Sequence, residues 1–289
     1  MIAIVLSGGL GNQLFQYAFI YNQHKRLNTP FFLVKNGLPI DLYRYFELEM
    51  NFFYGLDRVF FNHRGFKLLF SHHLRRGFYN RVCNLLTPRH LMVSMSEDPA
   101  DVLNKAQNGT LYFGFFQSES YFKDYAAGLL NRFSIKRKYL KAYSEKFSWL
   151  KKHTSVVVIH IRMTDYKAAG ENEESLILPL SYYHQIIGEI HTPANFYVIM
   201  SDDTAAVRKE FDYLEAKYFS GESEIIDFQL MMNADICVIA NSTFSWWAAY
   251  LNKKKNKSVY CPKHFLGFNK GEDYPAKIYP ANWVTVPVL

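Results

Sequence analysis

The chain has 289 residues, 49% of them hydrophobic and 20% charged, which suits one large or two medium globular domains and excludes wholesale disorder. Lysine and arginine exceed aspartate and glutamate by 33 − 26 = +7, a balance that fits an anionic ligand, an anionic membrane surface or nucleic acid. Cys83, Cys237 and Cys261 lie far apart with no C-x-x-C pair, which argues against a disulfide framework or a zinc site and for a reducing, cytoplasmic compartment.

Ile2 to Leu6 is a short apolar run that stops at glycines, so it reads as a first β-strand and not as a signal peptide. No apolar stretch reaches the roughly 20 residues that span a bilayer, so the protein is expected to be soluble or at most peripheral. From Asn12 to Leu27 the spacing of Leu14, Ala18 and Tyr21 predicts a helix, and "FFLV" at 31–34 a second strand. This βαβ opening predicts a parallel sheet. Residues 38–110 are less clearly patterned. Within them "FKLLFSHHLRRGFYNRVCNLL" is basic and partly helical, and reads as a solvated face over an aromatic core, with a binding surface as the alternative. His72 and His73 lack a partner at metal-ligand spacing and read as surface residues.

"KRKYLKAYSEKFSWLKK" (136–152) predicts a charged amphipathic helix bridging two halves. "SVVVIHI" (155–161) is too apolar for a sheet edge and should be central. "SYYHQIIGEI" predicts a helix capped by Ser181, followed by strand "NFYVIM", helix "TAAVRKEFDYL", strand "DICVIA", helix "STFSWWAAYL" and a last strand "SVYC". The expected fold class is α/β, with two Rossmann-like domains, 1–135 and 136–289, facing across a cleft. In such sheets ligands bind beyond the carboxyl ends of the strands.

Those strand ends carry the polar motifs. After the first strand, Gly8, Gly9 and Gly11 precede Asn12-Gln13. A dinucleotide fingerprint fails, because Leu14 stands at the third glycine position and Lys35-Asn36 where a ribose-binding acid belongs; a P-loop fails for want of Gly-Lys-Ser/Thr. Two readings remain: a turn that lets backbone N–H groups and Asn12 approach a ligand, or a plain tight turn.

"HIRMTDY" places His160, Arg162 and Asp165 at the end of a buried strand, where polar groups are costly unless paired or functional. Arg162 can fork two hydrogen bonds to a phosphate; the alternative is a structural Arg162–Asp165 ion pair. In "SDD" (201–203) no further ligand matches a metal site, so Asp202 or Asp203 reads as an acceptor for a nucleobase or ribose, or Asp203-Thr204 as a helix cap. "NSTFSWW" (241–247) opens a helix with Asn241, Ser242, Thr243 and Ser245, a natural phosphate cradle whose alternative is ordinary capping, with Trp246 and Trp247 as core.

Taken together, "SGGLGNQLFQYA", "GFFQSESYF" (114–122), "HIRMTDY", "MSDD", "ANSTFSWWAAYL" and, more weakly, "NWV" (282–284) resemble the α1,2-fucosyltransferase family of inverting glycosyltransferases, in the family's order over nearly the whole chain. That family usually shows H-x-R-R-G-D-Y, where this chain has Met163 and Thr164 in the fourth and fifth positions. The resemblance implies a GT-B-like fold, with an acceptor-side N-terminal domain, a C-terminal domain binding GDP-fucose as donor, and no metal or other cofactor. It implies Arg162 on the donor β-phosphate, His160 near the nucleoside, and Asp202 or Asp203 at guanine or ribose. Asn241, Ser242, Thr243, Phe244 and Ser245 would hold the diphosphate, with Gly11 and Asn12 reaching the donor from the opposite wall. Asp165 is the first candidate for the base that deprotonates the acceptor, and Glu171 the second.

The implied partners are GDP-fucose and a glycan ending in galactose, of the surface-polysaccharide (O-antigen) type. Lipid-linked forms of that acceptor would bring peripheral contact with the inner face of the cell membrane. An α1,6- or protein-O-fucosyltransferase is a related reading, although the "NSTFSWW" form favours α1,2. Outside enzymes the alternative is a basic nucleic-acid-binding protein, against which stand scattered cations and polar motifs gathered at strand ends.

Overall fold

Glycines end the first strand and aromatic residues crowd the helix behind it, and that pairing organises the N-terminal part. A computed structural model describes residues 1–35, 40–48, 61, 64–170 and 174–288. The chain divides into two compact units, Met1–Ser134 and Ile135–Leu289.

In the first unit β1 (Ile2–Leu6), β2 (Phe31–Lys35), β3 (Arg89–Met92) and β4 (Thr110–Phe113) form a parallel sheet in the order β2-β1-β4-β3. The helix Leu10–Arg26 begins two residues earlier, in the glycine stretch, than Asn12 and is buried from Leu10 through Gln23 apart from Asn12. Its aromatic side chains explain the burial: the Phe19 ring stacks on Phe116 with centroids 3.8 Å apart and meets Tyr112 edge-on at 5.0 Å. β3 lies in the weakly patterned stretch 38–110; as an edge strand it leaves Arg89, His90 and Met92 exposed, so it carries no continuous apolar run.

The second unit holds six parallel strands: β5 (Ser155–Ile161), β6 (Asn195–Ser201), β7 (Lys217–Ser220), β8 (Ile236–Val238), β9 (Ser258–Pro262) and β10 (Val284–Val286). Their order is β10-β9-β8-β5-β6-β7, with β5 central as its mostly apolar, buried run requires. The chain first builds outward from β5 through β6 to β7, then returns to β8 on the other side and continues through β9 to β10. The topological switch point therefore lies between β5 and β8. Val157, Ile159, Tyr182, Ile186, Ile199 and Phe211 knit the helices onto this sheet.

Three local expectations need correction. Pro179, not Ser181, occupies the cap of helix Leu180–Ile190: its fixed φ of −60° starts the helix one residue early and leaves Ser181 inside the first turn. The helix at "TAAVRKEFDYL" stops at Arg208 after five residues. "SVYC" is not the last strand, because β10 follows it and pairs with β9 through Val284, Thr285 and Val286. The segment expected to bridge the two halves is a helix Arg137–Phe147 that tightens into a 3-10 turn over Ser148–Lys152, and it lies wholly within the second unit.

Candidate active site

The pairing of β5 with β8 ends at Ile159 and Val238, and polar motifs of the second unit leave the sheet at these carboxyl ends. β5 ends at Ile161 and passes straight to Arg162; β8 ends at Val238 and reaches Asn241-Ser242, which open helix Thr243–Tyr250. β6 ends at Ser201 beside Ile161, so Asp202 arrives next to the β5 loop.

Arg162 is held from two sides. Its Nε donates to Asp165 Oδ1 at 2.7 Å and its Nη2 to Asp165 Oδ2 at 2.6 Å, and Nε lies 3.4 Å from Asp202 Oδ2. Asp202 in turn accepts hydrogen bonds from the Met163 N–H (2.8 Å), the Thr164 N–H (3.0 Å) and the Thr164 hydroxyl. Burial opposes ionisation of Asp202, but these bonds and the Arg162 charge outweigh it and hold its pKa below the usual carboxylate value. The guanidinium also sits 5.9 Å over the Tyr166 ring, and the Tyr166 hydroxyl donates to the Asn241 carbonyl at 3.0 Å, tying the β5 loop to the β8 loop. Burial pushes the Tyr166 hydroxyl pKa up to about 12, so it stays a donor.

Deeper in the site, His160 is buried, and its ring lies 5.5 Å from that of Phe244. Burial, reinforced by the neighbouring Arg162 charge and opposed by Asp202, lowers its pKa to about 3, so the imidazole is neutral. Asn241 is fully buried, with Nδ2 donating to the Leu176 carbonyl at 2.9 Å. His160 Nδ1 and Asn241 Oδ1 have no hydrogen-bond partner among the described residues. Orphaned polar atoms on adjacent strand ends are costly in a closed core and natural in a binding site.

The remaining expected residues divide. Ser242 is the N-cap of helix Thr243–Tyr250 yet makes no side-chain cap bond, so its hydroxyl is not spent on the helix. Ser245 is buried and its hydroxyl turns back to the Ser242 carbonyl at 3.1 Å; Phe244 packs edge-on against Phe228 at 5.3 Å, and Thr243 is half-buried at the helix start. Trp246 and Trp247 are fully buried, as the core reading expects. Asp203 caps helix Thr204–Arg208 by accepting from the Ala206 N–H at 3.1 Å. Glu171 lies outside the described residues. No group of three or more potential metal-ligating side chains occurs among the described residues.

In the first unit the glycine turn is wired by amides. Gly8 has φ +73°, and a Cβ there would come within 2.3 Å of Asn12 Nδ2, so only glycine fits. Gln13 Nε2 donates to the Gly8 carbonyl at 3.1 Å, while its Oε1 accepts from the Asp41 N–H at 2.8 Å. Gln16 Oε1 accepts from the Ser7 N–H at 3.0 Å, and its Nε2 donates to the Gly114 carbonyl at 2.9 Å. Asn12 Oδ1 accepts from Gln117 Nε2 at 2.8 Å, which joins "SGGLGNQ" to "GFFQSESYF". Gly11 is buried in the first turn of its helix.

Sequence reasoning missed Thr164 and Tyr166 as partners in the site, and Gln117 as the partner of Asn12. It also missed Asp227, which accepts from the Ser220 hydroxyl at the end of β7. Thr164 and Tyr166 stood inside a quoted motif; for Asp227 the signal was an acid one turn into a helix that follows a strand end.

The family model for glycosyl transferase family 11 matches residues 94–286. The chain is 27% identical over 305 aligned positions to the O-antigen biosynthesis glycosyltransferase WbnK of Escherichia coli, covering 97% of this chain and 99% of that one. It is 28% identical over 295 positions to an alpha-1,2-colitosyltransferase of Escherichia coli, covering 97% of each. Among solved structures, the NodZ alpha-1,6-fucosyltransferase co-crystallised with GDP superposes with a TM-score of 0.51 at 12% identity, over 86% of this chain and 92% of that one. An Arabidopsis thaliana FUT1 variant in complex with GDP gives a TM-score of 0.53 at 13% identity, over 90% of this chain and 69% of that one. At such identities the likeness shows the fold, which is α/β and GT-B-like.

Proposed function

The chain belongs to glycosyl transferase family 11, and from that premise we propose that it moves L-fucose from GDP-fucose to a galactose-type hydroxyl of a glycan, with inversion and an α1,2 linkage. The observation that carries the reading is Arg162, clamped by Asp165 and near Asp202 at the carboxyl end of β5, beside the helix that Asn241-Ser242 open after β8. A fixed guanidinium and a helix N-terminus at a switch point together form a receptor for a diphosphate.

The chemistry follows from that placement. The acceptor hydroxyl attacks the anomeric carbon on the face opposite GDP, through an oxocarbenium-like state, and GDP departs. Negative charge grows on the β-phosphate as the bond breaks, so a preorganised Arg162 stabilises the transition state more than the ground state. With arginine and the helix N-terminus carrying this charge, transfer needs no divalent metal. His160, neutral and with Nδ1 unpartnered, suits the nucleoside, and Asn241 Oδ1 is an acceptor for a donor group on the same ligand. Both Asp165 oxygens are engaged by Arg162, which supports positioning as its first role; service as the base would require it to release that grip.

In this reading the second unit takes the donor and the first unit the acceptor. The named activities of the two Escherichia coli relatives support a surface-polysaccharide acceptor and an α1,2 outcome. Calorimetry of the full chain with GDP-fucose, a colitose donor, GDP-mannose and UDP-galactose tests the donor, and linkage analysis of the product tests the rest. Tight binding of a uridine donor with no response to GDP-fucose overturns the proposal.

A further inference from the structure

From Arg58 to Ser96 the chain contains no aspartate or glutamate, while Arg58, Arg64, Lys67, Arg75, Arg76, Arg81 and Arg89 are all cationic. Within it the helix His72–Leu86 buries Arg75, Tyr79 and Cys83 on one face. Its opposite face should be polar, because a surface helix has one apolar stripe. Instead Leu74, Phe78, Arg81 and Leu85, spaced four, three and four apart, form a second stripe, with Leu74 65% and Leu85 82% exposed. The preceding helix Arg64–Leu69 adds Leu68 and Leu69, 85% and 76% exposed, next to exposed Lys67. Leucines standing this far out of the surface, interleaved with cations and without a single acid, are not the solvated polar face that the composition suggested.

We propose that this face, built from helices Arg64–Leu69 and His72–Leu86, docks on an anionic lipid surface. Protruding leucines can sink into the boundary between headgroups and acyl chains without a shaped counterpart, while Arg81 within the stripe and Lys67 beside Leu68 meet the anionic headgroups. A second copy of the chain fits poorly, because like stripes would set arginine against arginine with no acid on either side to neutralise them. The two signals, apolar and cationic, are the pair that stable peripheral anchoring needs.

The test is co-sedimentation of the full chain with vesicles of equal parts phosphatidylglycerol and phosphatidylcholine, against vesicles of phosphatidylcholine alone. The wild type is expected to pellet with the anionic vesicles, less so as salt rises, and weakly with the neutral ones. Lys67→Gln with Arg81→Gln should weaken that affinity about fivefold per cation, about 25-fold together. Leu74→Ser with Leu85→Ser should weaken it at least as far. Circular dichroism and GDP binding check that both variants keep their fold. Equal binding to both vesicle types, no binding by the wild type, or variants that bind as the wild type does would each overturn the proposal. So would sedimentation velocity showing that the leucine variant splits a dimer while vesicle binding is unchanged, which would make a second copy the occupant. Vesicle binding is read independently of turnover, so it stands whichever sugar is transferred.

Discussion

Arg162 and Asp165 meet side-on, two N–H groups of one guanidinium on the two oxygens of one carboxylate, at 2.7 and 2.6 Å. Both side chains remain open to water, 33% and 55% exposed, so the pair contributes little to stability. Its consequence is orientation: the carboxylate fixes the plane of the guanidinium, and Asp202 steadies its Nε.

Arg162→Ala is therefore expected to lower turnover by about 10² to 10³, the usual loss for a transition-state donor. GDP should also bind more weakly, by about 1.5–3 kcal/mol for one charge-assisted contact. Steady-state kinetics and calorimetry read the two effects, and wild-type transfer by this variant would remove the basis of the site.

Asp165→Asn separates positioning from proton transfer. With one acceptor oxygen left, the asparagine cannot hold both guanidinium N–H groups, so GDP affinity and turnover should fall together. Intact GDP affinity with collapsed transfer would instead identify Asp165 as the base.

Met163 bears on the family's second arginine. Its N–H donates to Asp202 and its side chain packs against the apolar cluster of the second unit. Met163→Arg should change GDP affinity only modestly, and should cost about 1–2 kcal/mol of stability because the charge cannot remain against that cluster. Thermal unfolding and calorimetry check both, and a gain of several orders of magnitude in activity would reassign the phosphate contact.

Asp227 gives a pH dependence. Burial, joined by the Glu222 charge and opposed by the Ser220 hydroxyl, raises its pKa from the ordinary 3.8 to about 6. A raised carboxyl stabilises the fold fully below 3.8, and that contribution is lost as pH rises through about 6. Asp227→Asn keeps an acceptor for Ser220 and lacks the titration, so its stability relative to wild type should improve by about 1.4 kcal/mol between about pH 5 and pH 8. Urea unfolding at the two pH values measures it. His160 has the opposite sign: held near 3, it adds stability above about 6.5 that is lost as pH falls toward 3.

Transfer should proceed unchanged in EDTA, because a guanidinium and a helix N-terminus are proposed to carry the leaving-group charge. Loss of activity in EDTA with recovery on adding Mg²⁺ or Mn²⁺ would contradict that proposal.

The sequence by itself determined the central strand and the polar residues at its end. "SVVVIHI" is apolar on both faces, which only a strand covered on both sides tolerates, and His160, Arg162 and Asp165 stand where such a strand must emerge. The buried tryptophans and the Asp203 cap were legible for the same reason: burial and capping leave local signatures of residue type. Strands β3, β4, β7 and β10 were not: β3, β7 and β10 are short, partly exposed edge strands that take their identity from a neighbour the local pattern does not name, and the interior β4 is only four residues long. Only the tertiary structure decided that Asp202 would order the turn after Arg162, that Gln117 would meet Asn12, and that Leu74 and Leu85 would face outward. Those outcomes depend on which distant segments pack together. A leucine has the same local pattern whichever side of its helix the rest of the chain covers.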